Sequence, residues 1–360
     1  MNCSDISLYL APKKEYKALV KCLTYNQSKY IQETLNGFVI QKTNFPFVCL
    51  VMDDASTDGE QDIIREWMES ECEMSCAEVI DIPASIVYIV PHKQNSSCTF
   101  AFYFLKNNLH KLSQEKVKLI NPWRKCCEYE AVCEGDDYWI DSLKLHKQVT
   151  FLDENPDYTM CCTDAIIQTN QSELDWARYN EDKTIPVEDI IIGGGLFIQT
   201  TTILFRTKLK SDEEYPDFAK RCHVGDYPLQ IYAALTGKVY WFASKMAVYR
   251  YQVGNSWTSI NNAKICTDNM VKGWQSEIYM LQGMDNLSQR KYHDVFNKRI
   301  AIYVFSILCG YHADIKKLTS IFENEIRLLS FGQKLKIYLL KSRFYKFYDL
   351  LSKVYHKFVS

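Results

Sequence analysis

Phe47-Val48-Cys49-Leu50-Val51-Met52-Asp53-Asp54-Ala55-Ser56-Thr57-Asp58 decides the fold. The apolar run from Phe47 to Met52 reads as a strand, and Asp53-Asp54 bounds it. Ser56-Thr57-Asp58 supplies N-cap chemistry for a helix through Ile63, Ile64 and Trp67. Upstream the pattern is the same. Lys17 to Leu23 is a short apolar run, Thr24-Tyr25-Asn26-Gln27 a polar turn, and Tyr30 to Phe38 carries apolar residues at helical spacing. Downstream, Ile86 to Val90 is a third strand closed by Pro91. Strand-helix-strand-helix-strand predicts a parallel, helix-covered sheet.

Beyond it, Phe100 to Ile120 reads as helical and then loop-like. Glu130 to Cys133 is a fourth strand leading into Glu134-Gly135-Asp136-Asp137-Tyr138-Trp139. A helix from about Ser142 to Asn155 follows and ends at Pro156; Tyr158 to Ala165 is another strand. Ser172 to Asp189 is a polar loop, Gly193-Gly194-Gly195 a flexible joint, and Gln199 to Arg206 a strand. Asp226 to Thr236 is a helix and Val239 to Tyr251 is strand-rich. From about Ala263 onward the pattern is helical. The chain thus divides into an α/β domain over 1–262 and a helical extension over 263–360. The last stretch, Lys334 to Lys357, carries seven Lys or Arg against Asp349 and reads as a basic amphipathic helix, packed on the domain or lying on an anionic membrane surface.

A net charge of -2 gives no bias toward nucleic acid. The 14 cysteines, with no signal peptide at the start, read as reduced thiols of a cytoplasmic protein. Cys72 and Cys76 have a spacing zinc could use, but no second pair follows. No apolar stretch is long enough to span a bilayer.

Chemistry concentrates where acids follow strands: Asp53-Asp54, Glu134-Gly135-Asp136-Asp137, and Asp226 at a later helix start. Ligands of open parallel sheets bind at the carboxyl ends of strands. Carboxylates two apart project from one side of an extended segment, and Gly135 between Glu134 and Asp136 lets the backbone come close to a ligand. Such a set suits Mn²⁺ or Mg²⁺, which keep positions open for phosphate oxygens.

Val51 to Asp58 resembles the Asp-Asp-x-Ser-x-Asp motif of the family 2 inverting glycosyltransferases. Tyr25 to Leu35 is similar to the segment after that family's first strand. Glu134 to Asp141, with Lys144-Leu145 and Lys147-Gln148-Val149, resembles the metal-binding segment of bacterial members. The resemblance covers about residues 17 to 260. It implies a GT-A fold, a mixed and mainly parallel sheet sandwiched by helices. It places Tyr25, Asn26, Glu33, Asp53 and Asp54 at the nucleotide, with Asn95 also lining the donor site. Asp136 would bind the metal, Asp137 would meet the donor sugar or support the metal, and Glu134 stands where many members have Asp. Gly225-Asp226-Tyr227-Pro228 fits the motif of the catalytic base, with Gly where the family often has Glu; Asp226 is then the base. Trp139, Thr201, Thr202 and His223 would border the acceptor. Arg250, in a loop running to Trp257, would pair with pyrophosphate.

The implied function is inverting transfer from a nucleotide-diphosphate sugar, with UDP the commonest base and GDP or dTDP open, to a saccharide or lipid-linked saccharide. Work at the inner face of the cytoplasmic membrane in cell-surface polysaccharide synthesis follows as an expectation. The alternatives are a non-catalytic carbohydrate or lipid-head-group binder of this fold and a sugar nucleotidyltransferase. The latter usually has a Gly-rich phosphate loop, which Thr24-Tyr25-Asn26-Gln27-Ser28 does not supply.

Overall fold

A computed structural model describes residues 15–109, 113–169, 171–174, 176–210, 214–251 and 266–342. Two units are distinguished. The first comprises Met1–Pro186, Gly195–Tyr215 and Tyr232–Asn261; the second comprises Val187–Gly194, Pro216–Ile231 and Asn262–Ser360.

The first unit is built on four parallel strands: β1 (Ala18–Thr24), β2 (Phe47–Asp53), β5 (Cys98–Leu105) and β6 (Tyr129–Val132), in the order β6-β1-β2-β5. Helix α1 (Ile31–Val39) returns the chain from β1 to β2, and α2 (Glu60–Glu71) follows β2. Beyond β5 the sheet turns antiparallel through β4 (Ser85–Pro91) and β3 (Glu78–Ile82). Beyond β6 it continues through β11 (Leu204–Arg206), β8 (Tyr158–Gln168), β12 (Lys238–Arg250) and β10 (Lys183–Thr184). Short strands β7 (Tyr138–Trp139) and β9 (Glu173–Leu174) pair with β12 and β8. This is the mixed, mainly parallel sheet that the resemblance implies.

Both faces of the central strands are buried, as a helix-sandwiched sheet requires. Val20, Cys49, Val51, Phe100 and Phe102 face a core filled by Leu35 and Phe38 of α1, Trp67 of α2, and Leu145 and Val149 of α4 (Lys144–Glu154). Leu19, Val48, Leu50, Ala101 and Tyr103 face Leu119, Ile120 and Trp123 of α3 (Ser113–Lys125). Each of the Leu, Ile, Val and Phe side chains among them contributes about 1.5–3 kcal/mol by leaving water.

Several elements differ from expectation. Residues 98–105 form a strand, β5, buried on every residue. An apolar run buried on both faces lacks the alternation that marks a strand, so its period misleads. The helix comes later, at α3, and carries Pro122 inside it. The strand at Ser85–Pro91 is antiparallel and forms a hairpin with Glu78–Ile82; the third parallel strand is β5. Residues Thr200–Thr202 form a 3-10 turn, so only Leu204–Arg206 is strand.

The second unit contains α5 (Val187–Gly193), α6 (Asp217–Lys220), the first turns of α7 (Asp226–Thr236), and α8 (Asp268–Leu287), α9 (His293–Gly310), α10 (Ile315–Ile321), α11 (Glu323–Ile326) and α12 (Phe331–Lys341). Helix α12 ends at Lys341, with Ser342 extended, so the basic stretch is not one uninterrupted helix from Lys334. Residues 343–360 and 252–265, with the end of the Arg250 loop, lie outside the described residues.

Under β6 a buried ion pair ties α3 to the sheet. Arg124 Nε and Nη2 donate to the two oxygens of fully buried Glu130, at 2.6 and 3.1 Å, and Lys21 Nζ lies 3.7 Å away. Burial pushes the Glu130 carboxyl up, but Arg124 and Lys21 outweigh it and hold its pKa at about 2. Its contribution to stability is therefore full above the ordinary glutamate range and is lost as pH falls toward about 2. Glu130→Gln should destabilise the protein by about 3 kcal/mol, because Arg124 is left buried without its charge partner. Urea denaturation checks the loss, and the gap between the two proteins should narrow below about pH 4.

Candidate active site

Because β6, β1 and β2 are adjacent and parallel, their carboxyl ends bring Thr24-Tyr25-Asn26, Asp53-Asp54 and Glu134-Gly135-Asp136-Asp137 to one edge of the sheet. The loops after β1 and β2 interlock. Asn26 and Ala55 both have positive φ, at 55° and 59°. Asn26 N donates to Ser56 Oγ at 2.9 Å, and Thr57 N donates to Asn26 Oδ1 at 2.8 Å. Ser28 N donates to Asp58 Oδ2 at 3.0 Å, and Gln27 N to Glu60 Oε2 at 2.9 Å. Thr24 Oγ1 lies within hydrogen-bonding reach of Gln27 Oε1, at 3.0 Å, and of Glu60 Oε1.

The loop after β6 packs onto the loop after β1. A Cβ on Gly135 would overlap Thr24 Oγ1 and stand 2.5 Å from Gln27 Oε1. The close approach that Gly135 permits is therefore to this chain rather than to a ligand. Thr34 Oγ1 of α1 bridges to the carbonyls of Gly135 and Asp137, at 2.9 and 2.6 Å. Burial raises the Asp136 carboxyl, with Arg250 and Gln27 pulling it back; burial and the neighbouring Asp136 push Asp137 further up.

Asp53 and Asp54 have different duties. Asp54 is already engaged: its Oδ1 accepts from Leu109 N at 2.7 Å and its Oδ2 from Lys116 Nζ at 2.6 Å. It anchors the segment before α3, and its carboxylate is not offered to a base or ribose. Asp53 Oδ1 accepts from Ser56 N at 3.0 Å and Gln61 Nε2 at 2.5 Å, while its buried Oδ2 has no hydrogen-bond partner among the described residues. Tyr25 at the same edge leaves 45% of its surface exposed.

Other expected positions move. Arg250 is buried and internally committed: it pairs with Glu33, donates from Nη1 to the Asp136 carbonyl at 2.6 Å, and from its backbone N to Asp137 Oδ1 at 2.8 Å. The rings of Tyr30 and Tyr138 flank its guanidinium. It braces the acidic loop instead of presenting itself to pyrophosphate, and Glu33 is its counter-ion. Asn95 lies before β5, at the amino edge of the parallel strands, where Nδ2 donates to the carbonyls of Val39 and Gln41. That is the wrong edge for the donor. Trp139, Thr201 and Thr202 are buried: Trp139 Nε1 donates to Thr201 O, Thr201 Oγ1 to Cys133 Sγ, and Thr202 Oγ1 to Gln199 O. They support the acceptor-side expectation only as scaffold.

In the second unit, Asp226 opens α7. Glu277 of α8 is buried, its carboxyl raised by burial and by Asp226's charge, with Arg299 Nη2 3.6 Å away. His223 donates from its backbone N to Ser276 Oγ at 3.1 Å, and a Cβ on Gly273 would touch its ring at 3.3 Å, so it packs on α8.

Sequence reasoning missed Glu60, Gln61, Lys116 and Lys144. Lys144 is fully buried; its Nζ donates to Gln148 Oε1 at 2.7 Å and sits 4.2 Å from the centre of the Trp139 ring, and burial lowers its pKa to about 8. A charged residue in a first helical turn reads as solvated until topology buries it. The described cysteines are free thiols, with Cys72 buried and Cys76 exposed. Among the described residues no group of three or more His, Cys, Asp or Glu could hold a metal by itself. The donors present, Asp136 with Asp137 and Glu134 beside it, fit a cation completed by phosphate oxygens rather than an all-protein cage.

Residues 22–83 match the family model of glycosyl transferase family 2. Rv1520 of Mycobacterium tuberculosis is 29% identical over 239 residues, 66% of this chain and 59% of that protein; less than two thirds of its length thus has a counterpart here. TuaG of Bacillus subtilis, named as a teichuronic acid biosynthesis glycosyltransferase, is 28% identical over 141 residues, 39% of this chain and 44% of that one. Among solved structures, S. aureus TarS 1–349 in complex with UDP-GlcNAc has a TM-score of 0.59 at 16% identity, covering 87% of this chain and 82% of that chain. At that identity the likeness concerns the fold, which is GT-A.

Gly135→Ala should destabilise the protein by about 1–3 kcal/mol, since Thr24 and Gln27 must give way to the new methyl group. Chemical denaturation checks this, and an unchanged midpoint would mean that the loop after β1 yields freely.

Proposed function

We propose, from the premise that the chain is a family 2 glycosyl transferase of GT-A fold, that it moves a sugar from a nucleotide-diphosphate donor to a saccharide or lipid-linked saccharide, with inversion at the anomeric carbon. The observation that carries the reading is Asp53 Oδ2. A buried carboxylate oxygen without a partner among the described residues is costly, and a donor N–H of a bound base would remove the cost. Tyr25, exposed at the same edge, offers a ring for the base to lie against. UDP is the favoured nucleotide, since a neighbour of this fold is described with UDP-GlcNAc.

Mn²⁺ or Mg²⁺ would be held by Asp136, with Asp137 and Glu134 behind it; when bound, the cation neutralises charge on the diphosphate. Arg250 keeps the Asp136 carbonyl and the Asp137 carboxylate in place. Asp226 is the proposed base, from its match to the family motif. It takes the proton of the acceptor hydroxyl as that oxygen bonds to the anomeric carbon, and the bond to the nucleotide breaks. A role in cell-surface polysaccharide assembly rests on the likeness to TuaG.

The test combines thermal shift and transfer. UDP should raise the melting temperature only with Mn²⁺, by mass action on the folded state, and Asp136→Ala should lose the shift. With the sugar donor so selected, Asp226→Asn should keep nucleotide binding and lower kcat by about a hundredfold or more. No shift with UDP, GDP or dTDP on the wild type contradicts the donor reading and favours the non-catalytic binder.

Membrane contact is a further part of the proposal. Phe331, Leu335 and Tyr338 are 83%, 48% and 69% exposed, at i, i+4 and i+7 on one face of α12, beside Lys334 and Lys341. Among the described residues no helix is long and apolar enough to cross a membrane. Replacing the three apolar residues with Ser should abolish cosedimentation with phosphatidylserine vesicles and leave nucleotide binding unchanged; unchanged cosedimentation contradicts the contact.

A further inference from the structure

The segment from Gly135 to Leu145 is fastened along one face of α1, at regular steps on both sides. Thr34, Gly37 and Gln41 lie at i, i+3 and i+7, with Gln41 just past the helix end, so they share a face. They meet residues 135, 137, 139 and 141, every second residue of the segment opposite. Thr34 Oγ1 donates to the carbonyls of Gly135 and Asp137. A Cβ on Gly37 would stand 2.8 Å from Trp139 N and 3.0 Å from Trp139 O, so the helix meets that backbone with only a hydrogen between them. Gln41 Nε2 donates to Asp141 O at 2.9 Å, and its Oε1 accepts from Leu145 N at 3.0 Å. Thr34 and Gln41 are both wholly buried.

Thr34 holds the two peptides that bracket Asp136. A threonine hydroxyl carries one proton. Here it is shared by acceptors at 2.9 and 2.6 Å, one on each side of Asp136. Both carbonyls are thereby tied to a single atom of a helix. The carbonyl between them, that of Asp136, accepts from Arg250 Nη1, and that of Glu134 accepts from Asp137 N at 3.1 Å. Four successive carbonyls of the acidic loop thus accept hydrogen bonds from this chain. What the loop keeps for a hard cation is its carboxylates.

We infer that Thr34 is a positioning residue for the metal: by tying the carbonyls of Gly135 and Asp137 to α1, it sets where the Asp136 carboxylate stands. The inference rests on the reading of Asp136 as the acid that holds the cation. A small hard cation takes its oxygens at closely defined distances, so a loop free to shift holds it poorly. Groups that act behind a metal ligand change metal affinity by about 10–100-fold when removed.

The measurement is the Mn²⁺ concentration that gives half of the rise in melting temperature produced by saturating UDP. Thr34→Val keeps the shape and removes the hydroxyl, and this half-point should rise by about tenfold or more. Thr34→Ser returns the donor and should stay within about threefold of wild type. Gln41→Met is the control for packing. It removes hydrogen bonds just as buried at the far end of the same face, so it should lower the melting temperature without UDP yet keep the half-point within about threefold of wild type. If T34V does not fold, Thr34→Cys, whose thiol is a weak donor, replaces it and should move the half-point in the same direction. A T34V half-point equal to that of wild type overturns the inference and leaves the donor reading standing. So does an equal rise in Q41M or in T34S, which would make the effect one of packing. Wild type without any Mn²⁺-dependent shift in UDP overturns the donor reading and this inference together.

Discussion

The space at Gly135 admits a hydrogen and nothing larger. The acidic loop after β6 can therefore lie directly on Thr24 and Gln27, and everything else at the sheet edge follows from that contact. With the backbone this close, Thr34 reaches the Gly135 and Asp137 carbonyls, and Glu60 is sealed against Thr24 and Gln27. Three loops from three adjacent strands then behave as one hydrogen-bonded body. Such networks are stiff when fully satisfied and costly when one member is missing. A site that must hold a flexible diphosphate gains from that stiffness, since less ordering remains to be done on binding.

The parallel core was legible because the signals agreed. β1, β2 and β6 each end in polar or acidic loops, and α1 and α2 follow with helical spacing. What escaped was β5, whose burial on both faces erases alternation, and the β3–β4 hairpin, which turns the edge antiparallel. Boundaries of the second unit were also hidden. Val187–Gly194 and Pro216–Ile231 cluster with the C-terminal helices although they lie within the α/β stretch of sequence. Only contacts distant in sequence reveal such membership.

At the site, residue type and loop were readable but side-chain duty was not. Asp53 and Asp54 are neighbours of one chemistry. A strand end points successive side chains to opposite sides, so one meets Lys116 and the other keeps a buried oxygen with no partner among the described residues. Arg250 and Glu33 are 217 residues apart and neutralise each other, a pairing no local pattern contains. Asn95 was misplaced because its loop precedes its strand, which puts it at the opposite edge. Trp139 and Thr201 are buried and joined by a hydrogen bond that holds β7 against the turn before β11, while Thr202 closes that turn onto the Gln199 carbonyl.

The central claim is that a nucleoside diphosphate binds over the carboxyl ends of β1, β2 and β6. A crystal structure of the protein grown with UDP and Mn²⁺ tests it most directly. The account predicts the base beside Tyr25 with an N–H on Asp53 Oδ2, and the diphosphate and metal at Asp136. Nucleotide bound elsewhere, with Asp53 Oδ2 still unpartnered, would contradict it.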